Sequence, residues 1–226
     1  MQLSISGFDE ERLEDFYDRA RYNMVNNQVI PNGVTNNAII EAMLQIPREC
    51  FVEKKWQPVA YIDDHLPVSD KRKILKPDTF ARMLQESKID SKSSVLDIAF
   101  GLGYSTAVIA SIAKHVTGVE NITTLLKHAE KNLKELNIKN AELKKGNLFE
   151  IQANPESYDV ILINGMAESF PKNMTDLIKD KGKIILIEPC EGSPRVVKYT
   201  KFSNHIVREE LFYAHAPLIT NNTDNP

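Results

Sequence analysis

The spacing of hydrophobic residues changes along the chain and divides it into two differently built parts. In residues 10–26 and 39–44 the apolar side chains recur at helical intervals, which predicts two amphipathic helices. From residue 94 onward, short strand-like segments alternate with helical stretches, and strands are predicted at residues 94–100, 115–120, 141–145, 158–163 and 183–188. This alternation predicts an α/β fold with a doubly wound, mainly parallel sheet and an N-terminal helical extension.

Capping residues and turn signals place the remaining elements. Thr35 can cap the second helix, and Asn121 can cap the helix that carries the apolar stripe Leu125, Leu126, Ala129, Leu133 and Leu136. Further helices are predicted over residues 78–85, 105–114 and 171–178, with Gly182 as a stop before the last parallel strand. Residues 196–202 and 205–212 are strand-like with interspersed polar residues, which predicts a hairpin at the sheet edge.

Residues 48–77 have little periodicity and interleave aromatic residues with prolines. A long irregular segment inside a compact domain is usually functional or covers a functional site. We therefore predict three parts. Residues 1–77 form a helical and irregular segment that covers the active site, residues 78–220 form the ligand-binding α/β domain, and residues 221–226 are a frayed tail.

Composition and charge narrow the functional classes. The 226 residues carry a net charge of −3, so no global field attracts nucleic acid or an acidic membrane. Cys50 and Cys190 fit no metal-ligand spacing and are predicted to be reduced thiols. No apolar run approaches the roughly 20 residues of a membrane-spanning helix, and the acidic N-terminal region is unlike a targeting peptide. These features predict a soluble cytoplasmic protein without a metal site, a nucleic-acid partner or a membrane partner.

Residues 95–105 carry the strongest functional signal, because a predicted strand passes through a glycine turn into a predicted helix. Asp97 lies inside the strand, whereas Gly101 and Gly103 lie in the turn. Glycines let a ligand approach the backbone closely, and free N–H groups at a helix start favour a polar or negative group. The stretch therefore predicts a nucleotide-binding corner.

Two side chains at the tips of the following strands indicate which nucleotide binds there. Glu120 lies about 20 residues past the glycine turn, where an acid can accept hydrogen bonds from ribose hydroxyls. Asn147, after the third strand, is placed to meet a purine edge. A dinucleotide fingerprint would need a third small residue where Thr106 stands. A ligand with a ribose and a cationic head group therefore fits the pattern better.

Residues 97–104, which read Asp-Ile-Ala-Phe-Gly-Leu-Gly-Tyr, resemble motif I of the S-adenosylmethionine-dependent methyltransferases. More narrowly, the chain resembles the protein-L-isoaspartate O-methyltransferase family in an ordered series of matches at residues 24–28, 33–34, 46–52, 60–67, 74–77, 158–161, 181–183 and 216–218. The resemblance implies a Rossmann-like methyltransferase fold and S-adenosyl-L-methionine as the cofactor, bound by Asp97, Ala99, Gly101, Gly103, Glu120 and Asn147. It also implies a protein or peptide substrate with an isoaspartyl carboxylate, and a monomeric enzyme.

The chain departs from this family in residues 71–77, which read Lys-Arg-Lys-Ile-Leu-Lys-Pro where the family has Gly-Gln-Thr-Ile-Ser-Gln-Pro. The resemblance implies serine and threonine hydroxyls beside the reacting methyl and the substrate carboxylate, but Leu75 and Lys73 occupy those positions. No residue is therefore predicted to be catalytic. Lys73 and Lys76 are predicted to orient an anionic acceptor as point charges. The resemblance also implies that Asn164 and Gly165 line the acceptor pocket.

The altered loop leaves three interpretations open. The protein methylates isoaspartyl carboxylates, or it methylates a different acceptor such as a protein side chain or an anionic small molecule, or it binds the cofactor without catalysis. Structural roles also remain open for single positions, since Asn147 can be a turn residue and residues 71–76 can be a solvated loop.

Overall fold

The computed structural model describes residues 10–203 and 205–220. Its helices are α1 (Glu10–Met24), α2 (Asn37–Gln45), α3 (Pro77–Ser87), α4 (Tyr104–Ala110) and α5 (Thr123–Glu135). Its strands are β1 (Leu66–Ser69), β2 (Arg72–Ile74), β3 (Ser94–Ile98), β4 (His115–Glu120), β5 (Ala141–Lys145), β6 (Tyr158–Met166), β7 (Ile178–Glu188), β8 (Arg195–Phe202) and β9 (His205–Tyr213). A π-helical turn spans Val25–Val29, and 3-10 turns span Ile30–Asn32, Arg48–Phe51, Lys54–Val59 and Lys172–Asp176.

Seven strands form one sheet in the order β5-β4-β3-β6-β7-β8-β9. The strands from β5 to β7 are parallel, and β8 and β9 add an antiparallel edge. The strand order reverses at β3, which has β4 on one side and β6 on the other. Ligands of such sheets bind outside the carboxyl ends of the strands at this reversal. The predicted α/β sheet and the predicted edge hairpin are both confirmed.

The central strands β3, β4 and β6 are buried on both faces, which explains their apolar runs. One core joins the first face to the N-terminal part of the chain and includes Met43, Phe80, Leu84, Val108 and Leu162. On the other face, β3 and β6 pack against side chains from outside the α-helices, among them Leu148, Met174 and Ile219. Connecting segments and the C-terminal segment therefore complete the second core.

The helix predicted over residues 171–178 is wrong. A 3-10 turn covers only Lys172–Asp176, and β7 already begins at Ile178. Ile178 pairs with Tyr158 at the start of β6, and the register shifts before Lys183 pairs with Val160. Gly182 consequently lies inside β7 instead of ending a helix before it. Strand pairing with β6 decides this segment, and a propensity argument from one sequence does not include such a neighbour.

Both predicted helix caps are also wrong. The N-cap of α2 is Asn36, whose side-chain oxygen accepts a hydrogen bond from the Ala38 N–H at 3.0 Å, and not Thr35. The N-cap of α5 is Ile122, and no side chain caps this helix. The Asn121 side chain is instead 4% exposed and bonds to two other segments of the chain. Its Oδ1 accepts a hydrogen bond from Arg72, and its Nδ2 donates one to the Thr220 carbonyl oxygen.

The segment over residues 48–77 contains more regular structure than its pattern predicts. Besides two 3-10 turns, it holds β1 and β2, which form an antiparallel hairpin separate from the main sheet. The predicted frayed tail at residues 221–226 lies outside the described residues. Within the part of the chain that the structure describes, none of the helices combines the length and hydropathy needed to cross a membrane.

Candidate active site

The glycine turn after β3 adopts the backbone conformation that its sequence suggests. Gly101 and Gly103 have φ angles of 62° and 97°, in the left-handed region that glycine adopts without a steric penalty. A Cβ atom added to Gly103 would lie 3.2 Å from the Ala129 Cβ, so α5 closes one side of the turn. Ala99 also has a positive φ, of 59°, and its methyl group makes this conformation costly.

Asp97 lies directly before this turn and is completely buried in a cluster of neutral donors. Its Oδ2 accepts hydrogen bonds from the hydroxyls of Ser105 and Thr106 at 2.8 and 2.6 Å. Its Oδ1 accepts a hydrogen bond from the Asn164 Nδ2 at 2.6 Å. Burial raises the pKa of Asp97 to about 6, although the three donors favour the carboxylate and limit the rise.

Glu120 ends β4 and is also completely buried. Its Oε1 accepts the backbone N–H groups of Asn121 at 2.9 Å and Ile122 at 3.2 Å. Its Oε2 accepts the Gly101 N–H at 3.1 Å, which connects the acid directly to the glycine turn. The acid predicted to bind ribose therefore lies at the turn, at the reversal of the strand order.

Arg72 of β2 covers the Glu120 carboxylate. Its Nε lies 3.4 Å from each carboxylate oxygen, and its Nη2 donates a hydrogen bond of 2.7 Å to the Asn121 Oδ1. Its Nη1 donates to the Lys71 carbonyl oxygen at 3.0 Å. The sequence did not predict Arg72 as a site residue, because it is one of several cations in an apparent surface loop. The only signal available was its position in a loop that departs from the family pattern.

The remaining predicted cofactor and acceptor residues have structural partners in this edge of the sheet. Asn147 accepts the Phe149 N–H through its Oδ1 at 3.0 Å and so forms a local turn. Asn164 donates to Asp97 and also to the Ile98 carbonyl oxygen, at 2.9 Å. A Cβ atom on Gly165 would lie only 2.6 Å from the Ile219 side chain, so the C-terminal segment packs directly on this residue.

The altered loop brings its lysines and its leucine to different environments. Lys73 is exposed, whereas Leu75 is only 2% exposed. The Leu75 carbonyl oxygen accepts a hydrogen bond of 2.9 Å from the Nη2 of Arg48, which is itself fully buried. Leu75 therefore presents no polar side-chain group, and its backbone is fixed to the segment before β1.

Lys76 is held by two carboxylates. Its Nζ lies 3.2 Å from the Asp78 Oδ1 and 3.4 Å from the Asp63 Oδ1. Burial acts to lower the pKa of Lys76, but the two carboxylates outweigh it and raise the pKa overall. The structure thus brings Asp97, Gly101, Glu120 and Asn164 together, and it leaves Lys73 exposed and Lys76 paired with acids.

Comparison with known proteins agrees with this geometry. Residues 20–220 match the family model for protein-L-isoaspartate(D-aspartate) O-methyltransferase. The chain is 33% identical over 193 residues to protein-L-isoaspartate O-methyltransferase 2 of Geotalea uraniireducens, with 85% of this chain and 89% of that protein covered. It is 31% identical over 202 residues to the protein-L-isoaspartate O-methyltransferase of Syntrophus aciditrophicus, with 88% and 93% covered.

A solved structure shows the same fold. It is that of a Plasmodium falciparum protein assigned to this methyltransferase family, in complex with S-adenosyl-L-homocysteine. The two structures superpose with a TM-score of 0.77 at 21% identity, covering 89% of this chain and 99% of the other. Because the family model spans both the glycine turn and the altered loop, the chain belongs to the protein-L-isoaspartate O-methyltransferase family.

Proposed function

We propose that the protein transfers a methyl group from S-adenosyl-L-methionine to the isoaspartyl carboxylate of a damaged protein or peptide. The observation that carries this proposal is the match of residues 20–220 to one family model. Within that range, Asp97, Gly101 and Glu120 meet at the reversal of the strand order, where nucleotides bind in doubly wound sheets.

The residues at this corner fit the cofactor chemically. We expect the backbone of the turn from Gly101 to Gly103 to approach the cofactor closely. A Cβ on Gly101 would lie 3.1 Å from the Val68 side chain and one on Gly103 would lie 3.2 Å from Ala129, so the turn has little room for side chains. Glu120 is proposed to offer its remaining carboxylate acceptor site to the ribose, and Asn147 is proposed to offer its side-chain amide to adenine. When bound, the cofactor supplies an electrophilic methyl group on a sulfonium. Asp97 is proposed to provide negative charge beside that cation, with its orientation fixed by Ser105, Thr106 and Asn164.

The acceptor side of the reaction requires orientation more than acid–base chemistry. A carboxyl group with a pKa of about 4 is already ionised at neutral pH, so no general base is required. Holding its oxygen in line with the methyl can supply roughly 7–11 kcal/mol of the barrier reduction. The Leu75 side chain can neither donate nor accept a hydrogen bond. We propose that Lys73, which is exposed, and Lys76 provide positive charge for the acceptor, and that Asn164 and Gly165 line the acceptor pocket.

A second candidate is methylation of another acceptor, or cofactor binding without isoaspartyl activity. The burial of Leu75 favours it, because the position that holds the family's serine here presents only an apolar side chain. Both candidates share the remaining proposals. These are that residues 1–77 cover the active site of the domain at residues 78–220, that the protein is a cytoplasmic monomer, and that it has no nucleic-acid partner. A net charge of −3 supports the last of these.

The test has two parts. Calorimetry should show binding of S-adenosyl-L-homocysteine, and methyl ester should form on an isoaspartyl peptide but not on the same peptide with ordinary aspartate. Leu75→Ser should then raise the rate by roughly 2- to 10-fold, the worth of one hydrogen bond, whereas Leu75→Ala controls for the space gained. Binding without turnover on either peptide would favour the second candidate, and absence of binding would contradict both.

A further inference from the structure

The Arg72 guanidinium contacts the Glu120 carboxylate, which is the group proposed to bind the ribose of the cofactor. We propose that Arg72 and the cofactor ribose compete for Glu120, so that Arg72 sets the cofactor affinity and the β1–β2 hairpin moves when the cofactor binds. This inference rests on the proposed function, because it presupposes that the cofactor binds at Glu120. It assigns a role to a residue that contributes no chemistry to methyl transfer.

The Glu120 carboxylate has a limited number of acceptor positions. A carboxylate offers about four lone-pair sites. Three are used by the N–H groups of Gly101, Asn121 and Ile122, at 2.9 to 3.2 Å. The Arg72 Nε covers both oxygens from the remaining side, and Glu120 is completely excluded from solvent. A ribose hydroxyl therefore has no access to the remaining acceptor site of Glu120 while Arg72 stays in place.

The four donors to Glu120 differ in how firmly the fold holds them. The three backbone N–H groups belong to the glycine turn and to the end of β4, which the sheet holds in place. Arg72 belongs to a hairpin whose two strands pair with each other and, among the described residues, with no strand of the main sheet. Its Nε contacts are 3.4 Å long, beyond the usual range for an N–H···O hydrogen bond, so they depend on charge attraction more than on bond geometry. Arg72 is thus the donor that can be displaced.

The β1–β2 hairpin covers the glycine turn as well as Glu120. A Cβ atom added to Gly101 would lie 3.1 Å from the Val68 Cγ2, and Val68 is itself buried. One movement of the hairpin would therefore uncover both the turn and Glu120. Since the affinity of a ligand falls in proportion to the fraction of protein in the competent state, the closed hairpin lowers the cofactor affinity.

The test is calorimetric measurement of S-adenosyl-L-homocysteine affinity in four full-length proteins. Arg72→Gln removes the competing charge, and we expect it to tighten binding by about 5- to 150-fold, the usual range of coupling between two linked equilibria. Arg72→Lys keeps the charge but loses the forked contact to Asn121, and should tighten binding less. Arg19→Gln, at an exposed arginine that pairs with the neighbouring Asp15, should bind like the wild type.

Each outcome decides the proposal. If the wild type binds and Arg72→Gln binds equally or more weakly, Arg72 does not compete with the cofactor and the inference is wrong, while the proposed function stands. If none of the four proteins binds, the proposed function fails and this inference fails with it. Should Arg72→Gln be too unstable to titrate, Arg72→Lys decides in its place. A Lys variant no tighter than Arg19→Gln would then overturn the inference.

Discussion

Asp97 and Glu120 are two fully buried acids on neighbouring strands, and they are held in different ways. Within the part of the chain that the structure describes, Asp97 accepts its hydrogen bonds from neutral side chains, two of them in the first turn of α4 and one near the end of β6. Glu120 accepts three backbone N–H groups and faces the cation of Arg72. The first acid is therefore surrounded by its own scaffold, whereas the second depends partly on a separate hairpin.

The difference shows what each arrangement can control. Neutral donors orient Asp97 but compensate its charge incompletely, so burial raises its pKa to about 6 and its charge depends on pH. A guanidinium faces the carboxylate of Glu120, and it lies on a hairpin that is separate from the seven-stranded sheet. The position of the hairpin is thus expected to govern the Glu120 side of the site.

The largest effect is expected when Glu120 is removed. Glu120→Ala leaves the Arg72 charge and three N–H groups buried without their acceptor, and breaking a buried ion pair in this way costs about 3–5 kcal/mol in the free energy of unfolding. Urea denaturation measures this loss. Glu142→Ala, at an exposed residue of β5 paired with Lys144, is the control and should change stability by less than about 0.5 kcal/mol.

A double mutant sharpens this result. Arg72→Ala combined with Glu120→Ala removes both charges, so its cost should be clearly smaller than the sum of the two single costs. Strict additivity would show that Arg72 contributes nothing to holding Glu120. The comparison between the two acids would then lose its basis.

The next largest effect concerns Asp97 and pH. Because its pKa is near 6 in the folded protein and 3.8 is the ordinary value, the folded state binds the proton more tightly than the unfolded state. Wild-type stability should therefore fall as pH rises from about 4 to about 6, by about 3 kcal/mol in total. Asp97→Asn cannot titrate, so the stability difference between wild type and variant should shift by that amount across the same interval.

Denaturation of both proteins at several values between about pH 4 and about pH 7 measures this change. Asp176→Asn, at an exposed aspartate, serves as the control and should follow the wild type. If the difference between wild type and Asp97→Asn stayed constant with pH, the neutral donors would be compensating the charge fully. Asp97 would then resemble Glu120 more closely than we propose.

The smallest expected effect lies at Ala99, between the two acids along the chain. Its φ of 59° disfavours a residue with a Cβ, so Ala99→Gly should stabilise the protein by about 1 kcal/mol despite the greater entropy of glycine when unfolded. Thermal unfolding measures the change. Ala20→Gly in the middle of α1 is the matched substitution, and it should instead destabilise by about 0.5–1 kcal/mol. The same sign at both positions would contradict the strain argument.

Elements that depend on local sequence were predicted correctly, whereas elements that depend on contacts with distant residues were not. Strands β3, β4 and β6 are predictable because almost all of their residues are buried, which leaves continuous apolar runs in the sequence. Residues 171–178 were predicted wrongly because Ile178 joins β7 through pairing with Tyr158, 20 residues earlier in the chain. Thr35 and Asn36 are both good capping residues, and the local backbone decided between them.

The sequence by itself determined the α/β class, the glycine turn and the position of Glu120 at a strand end, because each depends on local spacing or on a family pattern. Only the tertiary structure decided that Arg72, 48 residues away, covers that acid and that Ser105, Thr106 and Asn164 surround Asp97. The physical reason is that a charge or a hydroxyl finds its partner through the packing of separate segments. Such contacts leave no periodic signal in the chain.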